Sequence, residues 1–421
     1  MRPILPAAAL AGALLAAPAG AAPLFDPADT VAVVAGVLEW EHKGFAPFPK
    51  QGRKDRELHE TLGRLGVTKR TLLLDEAATK PAILGAVASA VAQAGPETTL
   101  LFYYAGHGVK EPAGGVAFAS REMDPWRPAT GVRVAELTAL FVKGGKRLFR
   151  GRRVLLLADC CHSGALAQTA QALAAAGIEA AALTSADASN VSTGNWTFTQ
   201  TVLDGLGGRG RCDHDADGAV TLSELAQEAR EAMRFREDQR YGYANHGVPA
   251  GAVVSRAVPG PRPLKRWALA PRAGKDAPAR VLALEGERAQ VSFYDYATEV
   301  VAWLPRSALK APQVETYPQG ARLSVDWDGQ PYAAVVMKVE DGFHFVSYPG
   351  WGREWDEWVG HTRILGELRP GESPSRPLKV EWQGRWWDAS LSGRRGELYC
   401  VRYLGYGREW DECVPQARVR L

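Results

Sequence analysis

Apolar, strand-like segments alternate with helix-like segments over residues 29–258, and this alternation constrains the fold more than any other feature of the sequence. The mostly apolar run 30–39 predicts a buried strand, and 54–65 follows with the periodicity of a helix. Strands that are separated by helices favour parallel pairing, because each connection has to cross back over the sheet. We therefore expect an α/β domain over 29–258 with a doubly wound, mostly parallel sheet.

Two of the predicted strands end at residues that can carry out nucleophilic chemistry. One runs into Ala105-Gly106-His107-Gly108, and another runs into Asp159-Cys160-Cys161-His162-Ser163-Gly164. The carboxyl ends of neighbouring strands in an open α/β sheet converge on one crevice. A histidine beside a cysteine can take up the thiol proton, and the resulting thiolate is a nucleophile. The two segments therefore predict a catalytic cysteine–histidine pair at that crevice.

Other interpretations of these residues have to be weighed. A histidine between glycines is often structural, and a buried cysteine at a strand end often only fills space. A zinc site made of His107, Cys160, Cys161 and His162 is a third interpretation, but adjacent cysteines rarely both point at one metal. The order of the two elements, with histidine first and a separation of roughly 50 residues, favours the catalytic interpretation.

The segments Tyr103-Tyr-Ala-Gly-His-Gly108 and Asp159-Cys-Cys-His-Ser-Gly164 resemble the two signatures of the caspase-fold peptidases, family C14. The second segment is more similar to metacaspases and bacterial orthocaspases than to animal caspases, and the resemblance covers residues 30–255. It implies a cysteine endopeptidase with Cys161 as the nucleophile and His107 as the general acid and base. It also implies an oxyanion hole formed by the backbone N–H groups of Gly108 and Cys161.

The same resemblance implies a substrate preference. In metacaspases the aspartate two residues before the nucleophile helps to form an acidic S1 pocket, and Asp159 holds that position here. A second acidic residue comes from the next strand and loop, where Asp187 fits, although a loop or N-cap aspartate is the alternative for this residue. Two carboxylates favour arginine or lysine and repel aspartate. We therefore expect protein or peptide substrates that are cleaved after Arg or Lys.

Residues 213–224 have the spacing of a calcium-binding loop, D-x-D-x-D-G-x5-E. Carboxylate oxygens would come from Asp213, Asp215, Asp217 and Glu224, and Ala219 would contribute its carbonyl oxygen. A flexible acidic turn is the alternative. We expect a Ca²⁺ ion in this loop, in either a structural or a regulatory role, and no organic cofactor.

The C-terminal part of the chain is repetitive and follows a predicted linker at 259–272. Val325-Asp-Trp-Asp-Gly-Gln-Pro-Tyr332 is similar to Val380-Glu-Trp-Gln-Gly-Arg-Trp-Trp387. Short strands with glycine-centred turns predict small antiparallel SH3-like barrels at 320–366 and 376–421, with a weaker Tudor-like copy at 273–312. These repeats resemble the chromo-barrel and Tudor-knot group, which implies a targeting role and a protein ligand.

Most of the 13 tryptophans lie in these repeats. The resemblance implies aromatic cages of the kind that bind methylated lysine. The candidate cage residues are Trp327, Tyr348 and Trp351 in one repeat and Trp382, Tyr403 and Tyr406 in the next. The alternative is that these rings only pack, and packing in the strand core is the prediction for Trp355 and Trp410. Acidic and basic residues are nearly balanced here, which disfavours a nucleic-acid partner.

Cys400 and Cys413 replace Phe345 and Trp358 of the preceding repeat. Both positions flank the same glycine-centred hairpin, so the two cysteines are expected to be cross-strand neighbours. We therefore predict a disulfide between Cys400 and Cys413.

The first 21 residues have the pattern of a signal peptide. Arg2 precedes an apolar stretch, and Ala19-Gly20-Ala21 offers small residues at a cleavage site. A retained membrane anchor is the weaker alternative, because prolines interrupt the short apolar run, and the mature chain contains no predicted span. We expect a periplasmic or secreted protein; failed export would leave a cytoplasmic enzyme.

The number of cysteines bears on the choice between an enzyme and a scaffold. The chain has five, and an odd number in an exported protein leaves at least one free thiol unless chains pair with each other. A catalytic thiol would explain such a free cysteine. The main alternative is a caspase-fold scaffold without activity, whose Trp-rich repeats bind a protein, but the intact cysteine–histidine pair argues against it.

Overall fold

The computed structural model describes residues 22–112, 114–188, 195–258, 267–295, 298–311 and 316–421. The predicted signal peptide and residues 259–266 of the predicted linker lie outside these ranges. The described chain forms an α/β domain that is followed by three antiparallel β-units. None of the helices in the described ranges is long and apolar enough to cross a bilayer.

The α/β domain has a central sheet with the strand order β12-β10-β9-β3-β1-β2. Strand β12 is antiparallel to β10, and the other neighbours are parallel, as predicted. The strands of the domain are β1 Thr30–Gly36, β2 Lys69–Leu74, β3 Thr99–Ala105, β4 Gly108–Glu111, β5 Gly115–Phe118, β6 Val132–Arg133, β7 Val142–Lys143, β8 Lys146–Arg147, β9 Arg153–Asp159, β10 Glu179–Thr184, β11 Ala219–Thr221, β12 Gly242–His246 and β13 Val253–Arg256. The helices are α1 Lys54–Arg64, α2 Lys80–Ala92, α3 Val134–Phe141, α4 Leu166–Ala175, α5 Thr197–Leu206 and α6 Leu222–Glu237.

Apolar cores on both faces of this sheet explain why its inner strands are apolar throughout. In β3, Leu100, Phe102 and Tyr104 pack into one core, and Leu101 and Tyr103 pack into the other. Every residue of β3 and β9 is buried. A strand that is buried on both faces needs a continuous apolar run rather than an alternating one.

The first β-unit is a four-stranded antiparallel sheet. Its strands are β14 Trp267–Arg272, β15 Lys275–Glu285, β16 Arg288–Asp295 and β17 Thr298–Pro305. Strand β14 pairs with β15 over its whole length, so residues 267–272 belong to this unit and not to the linker. Ala273 and Gly274 have positive φ and form the tight turn between the two strands. The boundary predicted at residue 273 is therefore one strand too late.

The second and third β-units have five strands each and share one sheet. The second unit contains β18 Arg322–Trp327, β19 Gln330–Glu340, β20 Phe343–Ser347, β21 Glu357–Val359 and β22 Ile364–Glu367. The third contains β23 Pro377–Trp382, β24 Arg385–Arg395, β25 Leu398–Tyr403, β26 Glu412–Val414 and β27 Val419–Arg420. The units join where β22 pairs with β24, and a Cβ atom on Gly393 would lie only 2.8 Å from the Cα atom of Gly366. The close junction is possible because both residues, Gly366 and Gly393, are glycines.

A disulfide links β25 and β26 in the third unit. Cys400 and Cys413 lie opposite each other in register and are bonded. Phe345 and Trp358 occupy the same register position in the second unit, with ring centroids 5.3 Å apart. The disulfide therefore takes the place of an aromatic cross-strand pair.

The first β-unit docks on α6 through a buried arginine. Arg280 of β15 is 2% exposed, and its guanidinium lies 3.0 Å from Glu228 and 2.7 Å from Glu231. The indole N–H of Trp267 donates to Glu231 at 3.2 Å. A guanidinium removed from water in this way needs such carboxylate partners, so the contact holds the unit in one position.

Candidate active site

Strands β3 and β9 are neighbours, and their last residues, Ala105 and Asp159, are paired in register. The backbone N–H of Gly106 donates to the carbonyl oxygen of Asp159 at 3.4 Å. His107 and Cys161 each follow a paired strand end by two residues. Both therefore leave the sheet at the same crevice, as the parallel pairing of two neighbouring strands requires.

Gly108 brings the two segments into backbone contact. A Cβ atom at this position would lie 1.9 Å from the carbonyl oxygen of Cys161 and 3.2 Å from Sγ of Cys160. A larger residue would push the two segments apart. Gly108 thus allows its backbone to lie beside the backbone of Cys161.

Three aromatic rings surround the His107 imidazole. The ring centroids of Trp40, Phe45 and Phe48 lie 4.5, 5.2 and 4.6 Å from that of His107. The Nε2 atom lies 2.9 Å from the carbonyl oxygen of Ala46. A carbonyl can only accept, so Nε2 carries the hydrogen and Nδ1 keeps the lone pair. Burial lowers the pKa of His107, so the neutral ring can accept a proton at Nδ1 at pH 7.

A cavity of about 300 Å³ opens beside Cys161. It is lined by Leu38, Phe48, Pro49, Gln51, Ala105, Gly106, Asp159, Cys161, Asn195 and Trp196. Most of these residues are apolar or aromatic, and Asp159 is the carboxylate among them. Apolar walls with one carboxylate suit a long side chain that has a methylene stem and a charged end.

The Asp159 carboxylate is buried and is held by hydrogen bonds. The backbone N–H and the hydroxyl of Thr199 donate to its Oδ2 atom at 3.3 and 2.5 Å, and the Ser185 side chain also contributes a hydrogen bond. Burial raises the pKa of Asp159 to about 6, and these hydrogen bonds oppose the rise. The carboxylate is therefore ionised at pH 7 and loses its charge as the pH falls through about 6.

Asp187, the second predicted S1 residue, does not line this cavity. Its Oδ2 atom lies 3.7 Å from Nε of Arg240, and its N–H donates to the Arg240 carbonyl at 2.9 Å. It lines a separate cavity of about 1080 Å³ along α6. Gly164 packs against the Asp187 backbone, where a Cβ atom would lie 2.7 Å from the Asp187 carbonyl carbon. The predicted pair of aspartates is therefore not assembled in the structure.

Glu237 is a carboxylate near the cavity that the sequence patterns missed. Its Oε2 atom accepts from the side-chain amide of Asn195 at 2.8 Å, and its Oε1 atom accepts from the hydroxyl of Thr197. Asn195 lines the cavity, and the charge of Glu237 adds to the effect of burial on the pKa of Asp159. No spacing in the sequence relates Glu237 to Asp159, because their proximity depends on how α6 packs against α5.

Three of the four predicted carboxylate ligands of the calcium-like loop converge. Asp213, Asp215 and Glu224 offer oxygens within 4.8 Å of one another. Glu224 also caps α6, because its carboxylate accepts from the backbone N–H of Thr221 at 2.9 Å. Asp217 lies outside this group, and its Oδ1 atom accepts from the N–H of Ala219 at 2.9 Å.

The second and third β-units each carry a cage of five aromatic side chains, and all six predicted cage residues belong to these cages. Neighbouring rings meet edge to face, as Trp351 and Trp355 do at 5.3 Å. The cage of the second unit surrounds about 140 Å³ and consists of Trp327, Tyr332, Tyr348, Trp351 and Trp355. The cage of the third surrounds about 230 Å³ and consists of Trp382, Trp387, Tyr403, Tyr406 and Trp410, with Glu409, Asp411 and Glu412 at its edge.

Two tryptophans that were predicted to pack in the core are instead exposed cage residues. Trp355 is 40% exposed and Trp410 is 48% exposed. Each ends a short 3-10 turn that follows a glycine, so the ring stands at the rim of the cage. Tyr332 and Trp387 were not predicted as cage residues, although the alignment of the repeats places two aromatic residues at this position. The alignment of the two repeats could therefore have identified Tyr332 and Trp387 as cage residues.

Comparisons with known proteins found one family model and several solved structures. A family model described as the caspase domain matches residues 51–250. A solved structure from Geobacter sulfurreducens is 17% identical over 55% of this chain and 100% of its own, with a TM-score of 0.39. Caspase-1 from Spodoptera frugiperda is 12% identical over 55% of this chain and 92% of its own, with a TM-score of 0.38.

Two further comparisons concern the chain as a whole and its β-units. The four MBT repeats of Drosophila melanogaster Sfmbt are 10% identical over 39% of this chain and 68% of their own, with a TM-score of 0.15. A search of curated proteins found no match. The first domain of this protein is thus a caspase-like α/β domain, and small antiparallel all-β sheets follow it.

Proposed function

We propose that this protein is a cysteine endopeptidase that cleaves peptide bonds after Arg or Lys. The observation that carries the proposal is the cavity that Cys161 and Asp159 both line. A substrate side chain that reaches Asp159 would bring its own carbonyl carbon close to Cys161. The match of residues 51–250 to the caspase domain supports the same reaction class.

In the proposed mechanism, Nδ1 of His107 takes the proton of the Cys161 thiol. The sulfur then attacks the substrate carbonyl carbon, and the backbone N–H groups of Gly108 and Cys161 stabilise the oxyanion. When the C–N bond breaks, His107 returns the proton to the leaving amine, and a thioester remains on Cys161. Water, activated by the same imidazole, hydrolyses the thioester and regenerates the thiol.

The cavity walls account for the proposed preference at P1, the residue before the cleaved bond. Leu38, Pro49 and Trp196 offer apolar surface to a methylene stem, and the ring of Trp196 suits a guanidinium. Asp159 supplies the opposite charge. An aspartate at P1 would place a second carboxylate beside a buried one, which electrostatic repulsion disfavours.

Covalent labelling tests which thiol is the nucleophile. A peptidyl acyloxymethyl ketone with Arg at P1 should alkylate Cys161, as located by mass spectrometry, and the same reagent with Asp at P1 should not. Cys160→Ser is the matched control and should label like the wild type, because Cys160 is buried and burial raises its pKa. An adduct on Cys160 would make that thiol the nucleophile instead of Cys161, and no adduct on the folded protein would support the scaffold alternative.

We also propose that Asp213, Asp215 and Glu224 bind Ca²⁺. The support is the convergence of their carboxylates at the spacing of a calcium loop. Calcium should raise the melting temperature relative to chelator, and Asp213→Asn should abolish that shift. Glu57→Gln, at an exposed residue of α1, is the control and should keep it. A melting temperature that does not respond to calcium in the wild type would contradict this proposal.

A second proposed function is targeting through the aromatic cages. Five rings around a small cavity form a site for a methylated ammonium group, which cation–π attraction favours over a bare apolar ligand. A peptide with trimethyllysine should quench tryptophan fluorescence more strongly than its unmethylated counterpart. The double variant Trp351→Ala/Tyr406→Ala should lose the difference, whereas Trp126→Ala, at an exposed tryptophan outside the cages, should retain it. Equal binding of both peptides would argue against the cages as the site.

We propose export with cleavage after Ala21. The support is that the next residues enter the fold directly: the N–H of Val253 donates to the Ala22 carbonyl at 2.9 Å, and the N–H of Leu24 donates to the Val253 carbonyl at 2.7 Å. N-terminal sequencing of protein from its natural host should therefore start at Ala22. A mature chain that starts at Met1 would point to a cytoplasmic protein.

A further inference from the structure

Residues 237–240 lie between the active-site cavity and the second β-unit, and we call them the bridging segment. They consist of the last residue of α6 and the three residues that follow it. Glu237 and Gln239 contact the cavity side, while Asp238 and Arg240 contact the β-unit. Four consecutive residues thus connect two parts of the molecule that are far apart in sequence.

The cavity side of the segment holds the walls of the candidate P1 pocket. Glu237 accepts hydrogen bonds from Asn195 and Thr197, the two neighbours of Trp196 in the pocket wall. The side-chain amide of Gln239 donates to the carbonyl of Ser185 at 2.5 Å. Ser185 in turn contributes a hydrogen bond to Asp159. Glu237 and Gln239 therefore support both the aromatic wall and the carboxylate of the pocket.

The other side of the bridging segment contacts the second β-unit. The Asp238 carboxylate accepts from the backbone N–H of Thr362 at 2.6 Å and from its hydroxyl at 2.8 Å, and it lies 2.9 Å from Nδ1 of His361. Arg240 lies 3.0 Å from Glu340, and its guanidinium stacks 3.9 Å above the ring of Trp358. These contacts are specific in geometry, because three donors converge on one carboxylate.

Asp238 also has a backbone conformation that needs support. Its φ of 48° is in the left-handed region, which a non-glycine residue adopts at a cost. A Cβ atom on Gly360 would lie 2.3 Å from the Asp238 carboxyl carbon, so the β-unit packs closely at this point. The contacts with the β-unit thus stabilise a conformation of the segment that is unfavourable on its own.

We propose that docking of the second β-unit positions the P1 pocket through the bridging segment, with Asp238 and Arg240 as positioning residues. The inference rests on the proposed peptidase function and adds a regulatory element to the same site. Release of the β-unit would let Asp238 relax, and Glu237 and Gln239 would move with it. The expected consequence is weaker binding of the substrate side chain, whereas the cysteine–histidine chemistry stays intact.

Two variants at contacts of the second β-unit test this proposal. Asp238→Gly removes the three hydrogen bonds and suits the left-handed backbone, so the protein should stay folded. We expect KM for a P1-Arg peptide to rise about fivefold, with kcat changed less than about twofold. The matched control is Asp341→Ala, which breaks an exposed ion pair between the same β-unit and Arg230 of α6. The control should leave both constants unchanged.

Hydrogen–deuterium exchange gives a readout that does not depend on activity. Asp238→Gly should speed exchange in 195–203 and leave the central strands unchanged, and the double variant His361→Ala/Thr362→Ala should reproduce the effect from the β-unit side. If the wild type cleaves nothing but the variants still exchange faster in 195–203, the positioning role would stand and the peptidase function would be rejected. An active wild type whose variants keep its KM and its exchange pattern would overturn the inference.

Discussion

At the scale of single residues, burial moves the pKa values of His107 and Asp159 in opposite directions. It lowers the pKa of the imidazole and raises the pKa of the carboxyl to about 6. At neutral pH the imidazole is therefore uncharged and able to accept a proton, while the carboxylate is charged and able to attract a cation. Both protonation states are those that the proposed reaction needs.

The pH dependence of P1 recognition follows from Asp159. Its carboxyl loses a proton as the pH rises through about 6, so the charge is present above that pH and lost below it. The ratio of kcat/KM for P1-Arg over P1-citrulline peptides should therefore rise with pH across this range. The ratio cancels the titration of His107, because both peptides need the same base. Asp159→Asn should make the ratio independent of pH, and a wild-type ratio that is flat from pH 5 to 8 would rule out Asp159 as the P1 carboxylate.

Gly108 allows a second prediction at this scale. Gly108→Ala would place a Cβ atom 1.9 Å from the Cys161 carbonyl, so the catalytic segments must move apart, and we expect kcat to fall about 100-fold or more. Gly85→Ala is the control, since Gly85 lies in α2 with no atom within 4 Å of the new Cβ. It should keep full activity and gain up to about 1 kcal/mol of stability. Full activity of Gly108→Ala would show that the close approach is not needed.

At the scale of secondary-structure elements, cross-strand pairs decide how the repeated β-units are stabilised. The second unit uses Phe345 and Trp358, and the third uses the disulfide at the same register position. The disulfide closes a short loop, and cross-links of this kind act mainly on the unfolded chain. The two units therefore differ in their response to reductant.

Reduction should destabilise only the third β-unit. Loop-closure entropy predicts a loss of about 3 kcal/mol in the free energy of unfolding for a loop of this size. Thiol titration of the unfolded protein should find the three free cysteines that the structure contains, and all five after reduction. Urea unfolding of Cys400→Ser/Cys413→Ser, with and without reductant, provides the control. Five titratable thiols before reduction would contradict the pairing.

The buried contact between the first β-unit and α6 should be costly to break. Burial would raise the pKa of Glu228, but Arg280 and His214 outweigh this effect and hold it at about 2. Arg280→Ala removes the guanidinium partner of this buried charge and leaves it with weaker compensation, so we expect a loss of about 3–5 kcal/mol in urea unfolding. Lys310→Ala, which breaks an exposed pair with Asp276, should cost less than about 1 kcal/mol. Equal losses for the two variants would mean that Arg280 is not the anchor.

At the scale of the whole molecule, α6 connects the separate sites. Its first turn contains Glu224 of the calcium-like loop, its middle pairs with Arg280 of the first β-unit, and its last residue accepts a hydrogen bond from Asn195 in the wall of the candidate P1 pocket. The bridging segment, which follows α6, forms hydrogen bonds and an ion pair with the second β-unit. A single helix thus links the candidate cation site, two β-units and the active site.

The sequence predicted those features that depend on local pattern or on neighbouring strands. The alternation of strands and helices predicted parallel strands, and therefore that His107 and Cys161 leave the sheet together. The sequence repeat predicted that Cys400 and Cys413 are cross-strand neighbours. The sequence patterns did not identify Glu237, because the packing of α6 leaves no periodic signal. They also predicted the wrong position for Asp187, because the turn after β10 leaves no such signal either. Trp355 was misplaced because a rim tryptophan and a core tryptophan have the same sequence context.

The proposed function depends on recognition of a basic P1 side chain by the cavity beside Cys161, for cleavage by that thiol. Its most direct test measures kcat/KM for fluorogenic peptides with Arg, Lys or Asp at P1, using the wild type and Cys161→Ala with calcium present. We predict turnover of the Arg and Lys peptides that exceeds turnover of the Asp peptide by about 100-fold or more, and none by Cys161→Ala. Cleavage after Asp, or Arg cleavage that persists in Cys161→Ala, would contradict the account.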